Sequence, residues 1–308
     1  MKVGLIDVDS HNFPNLALMK ISAWHKQQGD DVEWHWGWDQ YDRVYMSKVF
    51  DDTYTEDVLE PVNAKEIIKG GTGYGLKNVL PDEIEHIYPD YSLYPSLTQD
   101  TAYGFLSRGC PRGCPFCIVK DKEGLKSYKV ADLSEWWRGQ KNIVLNDPNI
   151  LACPDRNDLL EQLAESKAWV EFNQGIDARL LTEENINLLN NIRTSTLHFA
   201  WDLMKNSEAV VRGLELYSKY GSIKDHRRKF VYVLVNFDTT EEEDLYRVYT
   251  IREMGFEPYI MCFDKPNAPH RTKQMQRWCN SKLIFNRCPD FADYSVSFKD
   301  KSDDKLDL

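Results

Sequence analysis

Cys110, Cys114 and Cys117 stand in a C-x3-C-x2-C array within the stretch YGFLSRGCPRGCPFCIV, residues 103–119. Thiolates are metal ligands. Gly109, Pro111, Gly113 and Pro115, interleaved with them, rule out helix and sheet, because proline lacks an amide donor and glycine prefers turns. Such a loop can wrap tightly and aim three sulfurs at one point. The count of three carries information. A structural zinc is closed by four ligands, and an iron–sulfur cubane ordinarily takes four cysteines. Three leave one metal corner for a ligand that is not protein, the logic that separates catalytic from structural zinc. A zinc knuckle or a loop of buried thiols is the plainer alternative.

A loop of this kind needs a scaffold, and the sequence supplies a regular one from residue 102 onward. Strands are expected at 102–107, 142–146, 169–173, 196–201, 230–235 and 258–262, with helices at 158–166, 183–192, 208–220 and 241–254. Thr182 caps the second helix and Ser207 the third, while Thr240-x-x-Glu243 is a capping box for the fourth. Six strand–helix repeats describe a partial (β/α)6 barrel of the TIM kind. Such barrels work at the carboxyl ends of their strands, and the residues there are unusually polar. The first strand leads to the cysteine loop and the second to Asn146-Asp147. The third leads to Asn173-Gln174 and on to Asp177 and Arg179, the fourth to Asp202, the fifth to Asn236-Phe237-Asp238, the sixth to Asp264. Each alone could be an ordinary turn or cap; together they mark a site. Arg179 could equally pair with Asp177 or Glu183.

Residues 1–75 read as a small open α/β (Rossmann-like) domain. Strands are expected at 2–8, 32–36, 43–47 and 65–69, with a helix at 14–28 that has Pro14 in its first turn and Gly29 past its end. Trp34, Trp36 and Trp38 share one face of a strand and its exit. They suit packing against the second domain better than nucleobase stacking. Residues 76–101 read as an extended connector on the surface. Residues 266–308 form a C-terminal cap, with a closing helix, and a disordered tail, KDKSDDKLDL.

Net charge is −11 over 308 residues, with 42% apolar and 12% aromatic residues. That composition supports packed cores and does not favour nucleic acid. With seven cysteines, three of them clustered, a reducing cytoplasm and metal binding are expected. Neither a signal peptide nor a membrane span is read in the sequence. Cys153, Cys262, Cys279 and Cys288 lack any C-x2-C spacing, so they suit buried small side chains better than an auxiliary cluster.

The cysteine loop, with Phe116 just before its last thiol, resembles that of the radical S-adenosylmethionine (SAM) enzymes. The resemblance spans 102–264. It implies a [4Fe–4S] cluster held by Cys110, Cys114 and Cys117, with S-adenosyl-L-methionine completing the fourth iron and Phe116 near its adenine. It implies SAM amino-group contacts from Asn146 and Asp147, where the family often has G-G-E. It also implies a SAM carboxylate contact from Arg179, ribose contacts from Asn173, Gln174 and Asp202, and adenine contacts near Asn236. Reductive cleavage of SAM to a 5′-deoxyadenosyl radical follows, driven by an external one-electron reductant of flavodoxin or ferredoxin type. Residues 1–75 resemble a shortened cobalamin-binding domain. Asp9-x-His11 falls where that family has D-x-H-x-x-G, although Pro14 replaces the glycine, and Gly70-Gly71 falls where the backbone approaches the cofactor tail. A cobalamin-dependent radical SAM methyltransferase is therefore one alternative; an iron–sulfur or zinc sensor or electron-transfer module is another.

Overall fold

The computed structural model describes residues 1–295; the tail expected to be disordered lies outside the described residues. It divides into two compact units, Met1–Gln174 with Asn191–Ser195, and Gly175–Asn190 with the residues from Thr196 on. That division falls inside the strand–helix repeats and has no bearing on the boundaries expected at 75, 101 and 265.

The first unit opens with β1 (Lys2–Asp7), helix α1 (Leu16–Gln27), β2 (Asp31–Trp34), β3 (Arg43–Ser47) and β4 (Ile67–Gly70). They form a parallel sheet in the order β2-β1-β3-β4. The helix begins after Asn15, not at Pro14: the Asn15 side chain accepts from Leu18 N–H at 3.2 Å and donates to Ser47 Oγ at 2.9 Å. Leu18 and Ile21 on α1 close over Val3, Leu5 and Tyr45, with Ile84 from the following segment. Side chains so buried contribute roughly 1.5–3 kcal/mol each.

Residues 76–101 are not extended throughout. They form helical turns α2 (Asp82–Glu85) and α3 (Pro95–Thr98), with a 3-10 turn at Tyr91–Leu93. Tyr91 donates to Trp136 O at 2.6 Å and Tyr94 to the Asp7 carboxylate, so tertiary hydrogen bonds fix the segment. Trp34 meets Tyr94 edge-on, but Trp36 and Trp38 are 61% and 86% exposed, which overturns the expected packing role for them.

The barrel strands begin with β5 (Thr101–Gly104). A two-residue antiparallel clasp, β6 (Ser107–Arg108) with β7 (Tyr128–Lys129), encloses the cysteine loop and a short helix α4 (Val119–Lys122). Then follow β8 (Asn142–Leu145), α5 (Arg156–Ser166) and β9 (Trp169–Phe172). Strands β5, β8 and β9 form a parallel sheet.

The second unit carries α6 (Glu183–Asn190), β10 (Leu197–Ala200), α7 (Ser207–Tyr220), β11 (Lys229–Val235), α8 (Glu241–Glu253) and β12 (Glu257–Cys262). It closes with α9 (His270–Asn280) and α10 (Lys282–Arg287). Strands β10, β11 and β12 form its parallel sheet. Thr240 and Glu243 make the expected capping box on α8, and Thr182 Oγ1 caps α6 through Asn185 N–H at 3.3 Å. Ser207 is the first residue of α7 rather than its cap. The fold class is thus a small Rossmann-like α/β sheet followed by the six strand–helix repeats of a partial (β/α)6 barrel.

Candidate metal and cofactor site

The cysteine loop leaves the carboxyl end of β5 and is braced on both flanks. Asp147, just past β8, is 4% exposed and accepts from Leu106 N–H at 2.8 Å, Ser107 N–H at 2.7 Å and Ser107 Oγ. Burial pushes its carboxyl up to about 7, against the pull of those donors. Asp147 therefore holds the entry to the loop, a task its sequence position did not suggest. Glu123 does the same from the far side. Its carboxylate accepts from Gly109 N–H at 2.9 Å and from Arg108 Nη1 at 3.0 Å. Gly109 sits at φ +77°, and a Cβ there would stand 2.0 Å from Lys126 O, so no other residue closes the loop this tightly. Cys110 N–H donates to Gly124 O at 3.2 Å, and Cys117 N–H to Cys114 O at 3.0 Å.

Cys110, Cys114 and Cys117 are half-buried, and none of the seven cysteines is in a disulfide. Among the described residues, no three His, Cys, Asp or Glu side chains gather as ligands of a single ion. That bears on a single ion only. A cubane makes a different demand, since each thiolate binds its own iron and the sulfurs stand apart around the cluster. Three reduced thiols on one glycine-shaped loop fit that donor set. Asn149 adds a contact the sequence did not single out: its Nδ2 lies 3.5 Å from Cys110 Sγ. No motif marks it; its type alone allowed the role. Phe116, beside Cys117, is half-buried.

Of the other strand-end residues in the first unit, Asn146 and Asn173 are brought together, Asn173 Nδ2 donating to Asn146 Oδ1 at 2.9 Å. Gln174 is exposed.

The second unit gathers its own set. Asp177 holds Arg179 in a fork, with Nε to Oδ1 at 2.7 Å and Nη2 to Oδ2 at 3.0 Å. Of the pairings left open by the sequence, Arg179 thus makes the one with Asp177. Asp202 follows β10. Burial raises its carboxyl to about 6, although Arg247 and Arg179 pull it down. Asn236 takes φ +64° and donates from Nδ2 to Phe263 O at 2.8 Å, tying the exits of β11 and β12. Asp238 and Asp264 are also at positive φ, a local strain typical of functional strand ends. Arg247 on α8 was not legible as a site residue. Fully buried, it donates to the carbonyls of Trp201 at 2.7 Å, Asp202 at 3.0 Å and Leu234 at 2.8 Å, and pairs with Asp244.

At the carboxyl edge of the N-terminal sheet, the residues do not fit a cofactor tail. Gly71 is at φ +94°, and a Cβ there would meet Lys48 O at 2.3 Å, so the chain's own backbone occupies the approach. Asp9 is 2% exposed and accepts from Val49 and Phe50 N–H, each at 2.8 Å. His11 is exposed. Cys153 and Cys279 are buried, as small side chains should be, whereas Cys262 and Cys288 are only half-buried. No helix among the described residues is long and apolar enough to cross a membrane.

No family model matches the sequence, and no curated protein matches it. A solved structure does. It is the radical S-adenosylmethionine methyltransferase TsrM from Kitasatospora setae, with tryptophan substrate and the SAM analogue aza-SAM bound. The TM-score is 0.60 at 12% identity, over 84% of this chain and 72% of that one. The two chains share a fold. At such low identity the likeness extends to the arrangement of elements, and the chemistry must be argued from this chain's own residues.

Proposed function

We propose that this chain is a radical SAM enzyme that reductively cleaves S-adenosylmethionine to act on its substrate. The observation that carries the reading is the placement of Cys110, Cys114 and Cys117 on a braced loop at the carboxyl end of the first barrel strand. Those three thiolates would hold a [4Fe–4S] cluster, leaving its fourth iron to SAM. Such a cluster would supply the one electron needed to cleave the carbon–sulfur bond of the SAM sulfonium reductively.

The chain's own residues bind and orient. Phe116 would lie against the adenine. Asn146, paired with Asn173, would present a side-chain amide to the SAM amino group. Arg179 is pre-set in a planar fork by Asp177, a geometry suited to a carboxylate. Asp202, Asn173 and Gln174 would take ribose hydroxyls, and the strained Asn236 turn would present backbone to adenine. Within the first unit Asp147 braces the cysteine loop, and within the second Arg247 holds the Asp202 carbonyl.

Methyl transfer is the second reading, because the solved structure that shares the fold is a methyltransferase. Its cobalamin-dependent form is disfavoured by the self-filled edge at Gly71. Anaerobic reconstitution with iron and sulfide, followed by dithionite and SAM, should yield 5′-deoxyadenosine. Cys114→Ala should lose both the brown cluster absorbance and the cleavage; retention of either would overturn the assignment. Iron uptake without cleavage would instead favour a sensor or electron-transfer module.

A further inference from the structure

The N-terminal sheet is covered differently on its two faces. On one, α1 closes over Val3 and Leu5. On the other, Tyr41, Val44 and Met46 cluster with Ala64 and Tyr74, which belong to irregular segments. Among the described residues, α1 is the one helix between β1 and β4, whereas a parallel sheet ordinarily carries helices on both faces. Two loops take the place of the second helix, and Asn63 ties them together. Its Nδ2 donates to Trp36 O at 3.0 Å, and its backbone O accepts from Tyr41 N–H at 2.9 Å.

These loops leave large apolar side chains outside. Trp36 and Trp38 stand on one loop; Leu59 and Val62, 95% and 101% exposed, stand on the other. Single exposed apolar residues are ordinary. Two tryptophans and two aliphatic side chains on loops joined by one asparagine form a patch of the kind that marks an interaction surface. Tryptophan is among the residues most enriched at binding hot spots.

Charge selects the occupant. Residues 49–64 hold five acids and no Lys or Arg, in a chain of net −11. Asp57 and Glu60 share Lys69, and Glu56 has no ion-pair partner among the described residues. Carboxylates attract cations, and so do the faces of tryptophan rings, above all the guanidinium of Arg. Phosphate is repelled by those carboxylates, which disfavours nucleobases stacked on Trp36 and Trp38. Side chains this exposed make a surface rather than a cavity, so the occupant is a macromolecule. The chain's own residues 296–308 hold three Lys against four Asp, and a second copy carries −11, so neither brings the complementary charge.

We infer that Trp36, Trp38, Leu59 and Val62, bordered by Glu56 and Glu60, form the docking surface for a separate polypeptide whose docking segment carries Arg or Lys beside apolar side chains. The inference rests on this surface alone and stands apart from the radical SAM reading. An apolar centre with charges at its margin is the usual anatomy of a protein interface.

The test uses the full-length protein and a short fluorescein-labelled peptide of alternating Arg and Leu, read by fluorescence anisotropy. The same peptide with Glu in place of Arg is run in parallel. The Arg–Leu peptide should bind and the Glu–Leu peptide should not. Trp36→Ser/Trp38→Ser should weaken binding by about tenfold. Glu56→Gln/Glu60→Gln should weaken it by about threefold or more, with a flatter decline as salt rises. Glu161→Gln/Glu165→Gln removes the same charge from exposed positions on α5 and should leave affinity within about twofold. Circular dichroism checks that each variant folds, and the glutamine pair at residues 56 and 60 decides the matter should the serine pair not fold. Failure of the Arg–Leu peptide to bind, or equal affinity in the native protein and the patch variants, would overturn the inference. So would an equal loss in the α5 variant, which is general attraction to an acidic chain, or tight binding of poly(dT). Dimerisation in sedimentation experiments that Trp36→Ser/Trp38→Ser abolishes would overturn it too, by making a second copy the occupant.

Discussion

Asp202 shows how a strand-end position alters one side chain. Its carboxyl is raised to about 6 by burial, whereas an unfolded chain would titrate it near its ordinary 3.8. The folded form therefore holds the proton more tightly than the unfolded one. The stability this contributes is fully present below pH ~4 and is lost as pH rises toward ~6. Asp202→Asn should remove that part of the pH dependence and be more stable above pH 6 by on the order of 2 kcal/mol. Urea unfolding of both proteins from pH 4 to 8 checks this; parallel pH profiles would refute it. If Asp202 takes a ribose hydroxyl as proposed, the variant should also bind SAM more weakly. Asn149 permits a second residue-scale prediction. Hydrogen bonds to cluster sulfurs raise the reduction potential. Asn149→Leu should lower it by roughly 50 mV, the one-electron equivalent of about 1 kcal/mol, in an anaerobic titration followed by electron paramagnetic resonance. Asp202 drew notice in the sequence because polar residues after apolar strands are conspicuous. Asn149 and Arg247 did not, since an isolated asparagine and a helical arginine acquire meaning only from what folding sets beside them.

Elements were legible to the extent that they carry a period of their own. Strand β3 falls at the expected residues, and α5, α7 and α8 agree with their expected spans to within two residues, because apolar stripes and caps locate them. The helical turns within residues 76–101 and the clasp of β6 with β7 have no such period. Elements of two to four residues are fixed by tertiary contacts, such as Tyr91 to Trp136 O, that leave no local signature. The glycine pair ending β4 makes the same point. Both glycines resembled a cofactor cradle, yet space at Gly70 is open while Gly71 is pressed on Lys48 O. Gly70→Ala should be tolerated within about 0.5 kcal/mol. Gly71→Ala, meeting both a positive φ and a backbone oxygen, should destabilise by about 1–3 kcal/mol or more. Chemical denaturation of the two variants without any added cofactor measures the difference; equal stabilities would return Gly71 to a ligand-binding role.

At the scale of the molecule, sharing a fold does not fix which cofactors it carries. The barrel repeats keep their thiols, strand-end polar groups and buried arginine. The N-terminal sheet keeps its topology, but its carboxyl edge is closed by the chain itself. Asp9 holds the Val49 and Phe50 amides, and Lys48 is fully buried beside Gly71. A corrinoid tail would have to displace that backbone and leave the two amides and a buried carboxylate without partners, each a loss of about 1–3 kcal/mol. Protein reconstituted with iron and sulfide, incubated with hydroxocobalamin and desalted, should therefore retain no corrinoid absorbance. SAM turnover should give 5′-deoxyadenosine with or without the corrinoid. Retained corrinoid in stoichiometric amount, together with S-adenosylhomocysteine as the main nucleoside product, would show that the edge opens on binding and that methyl transfer is the chemistry.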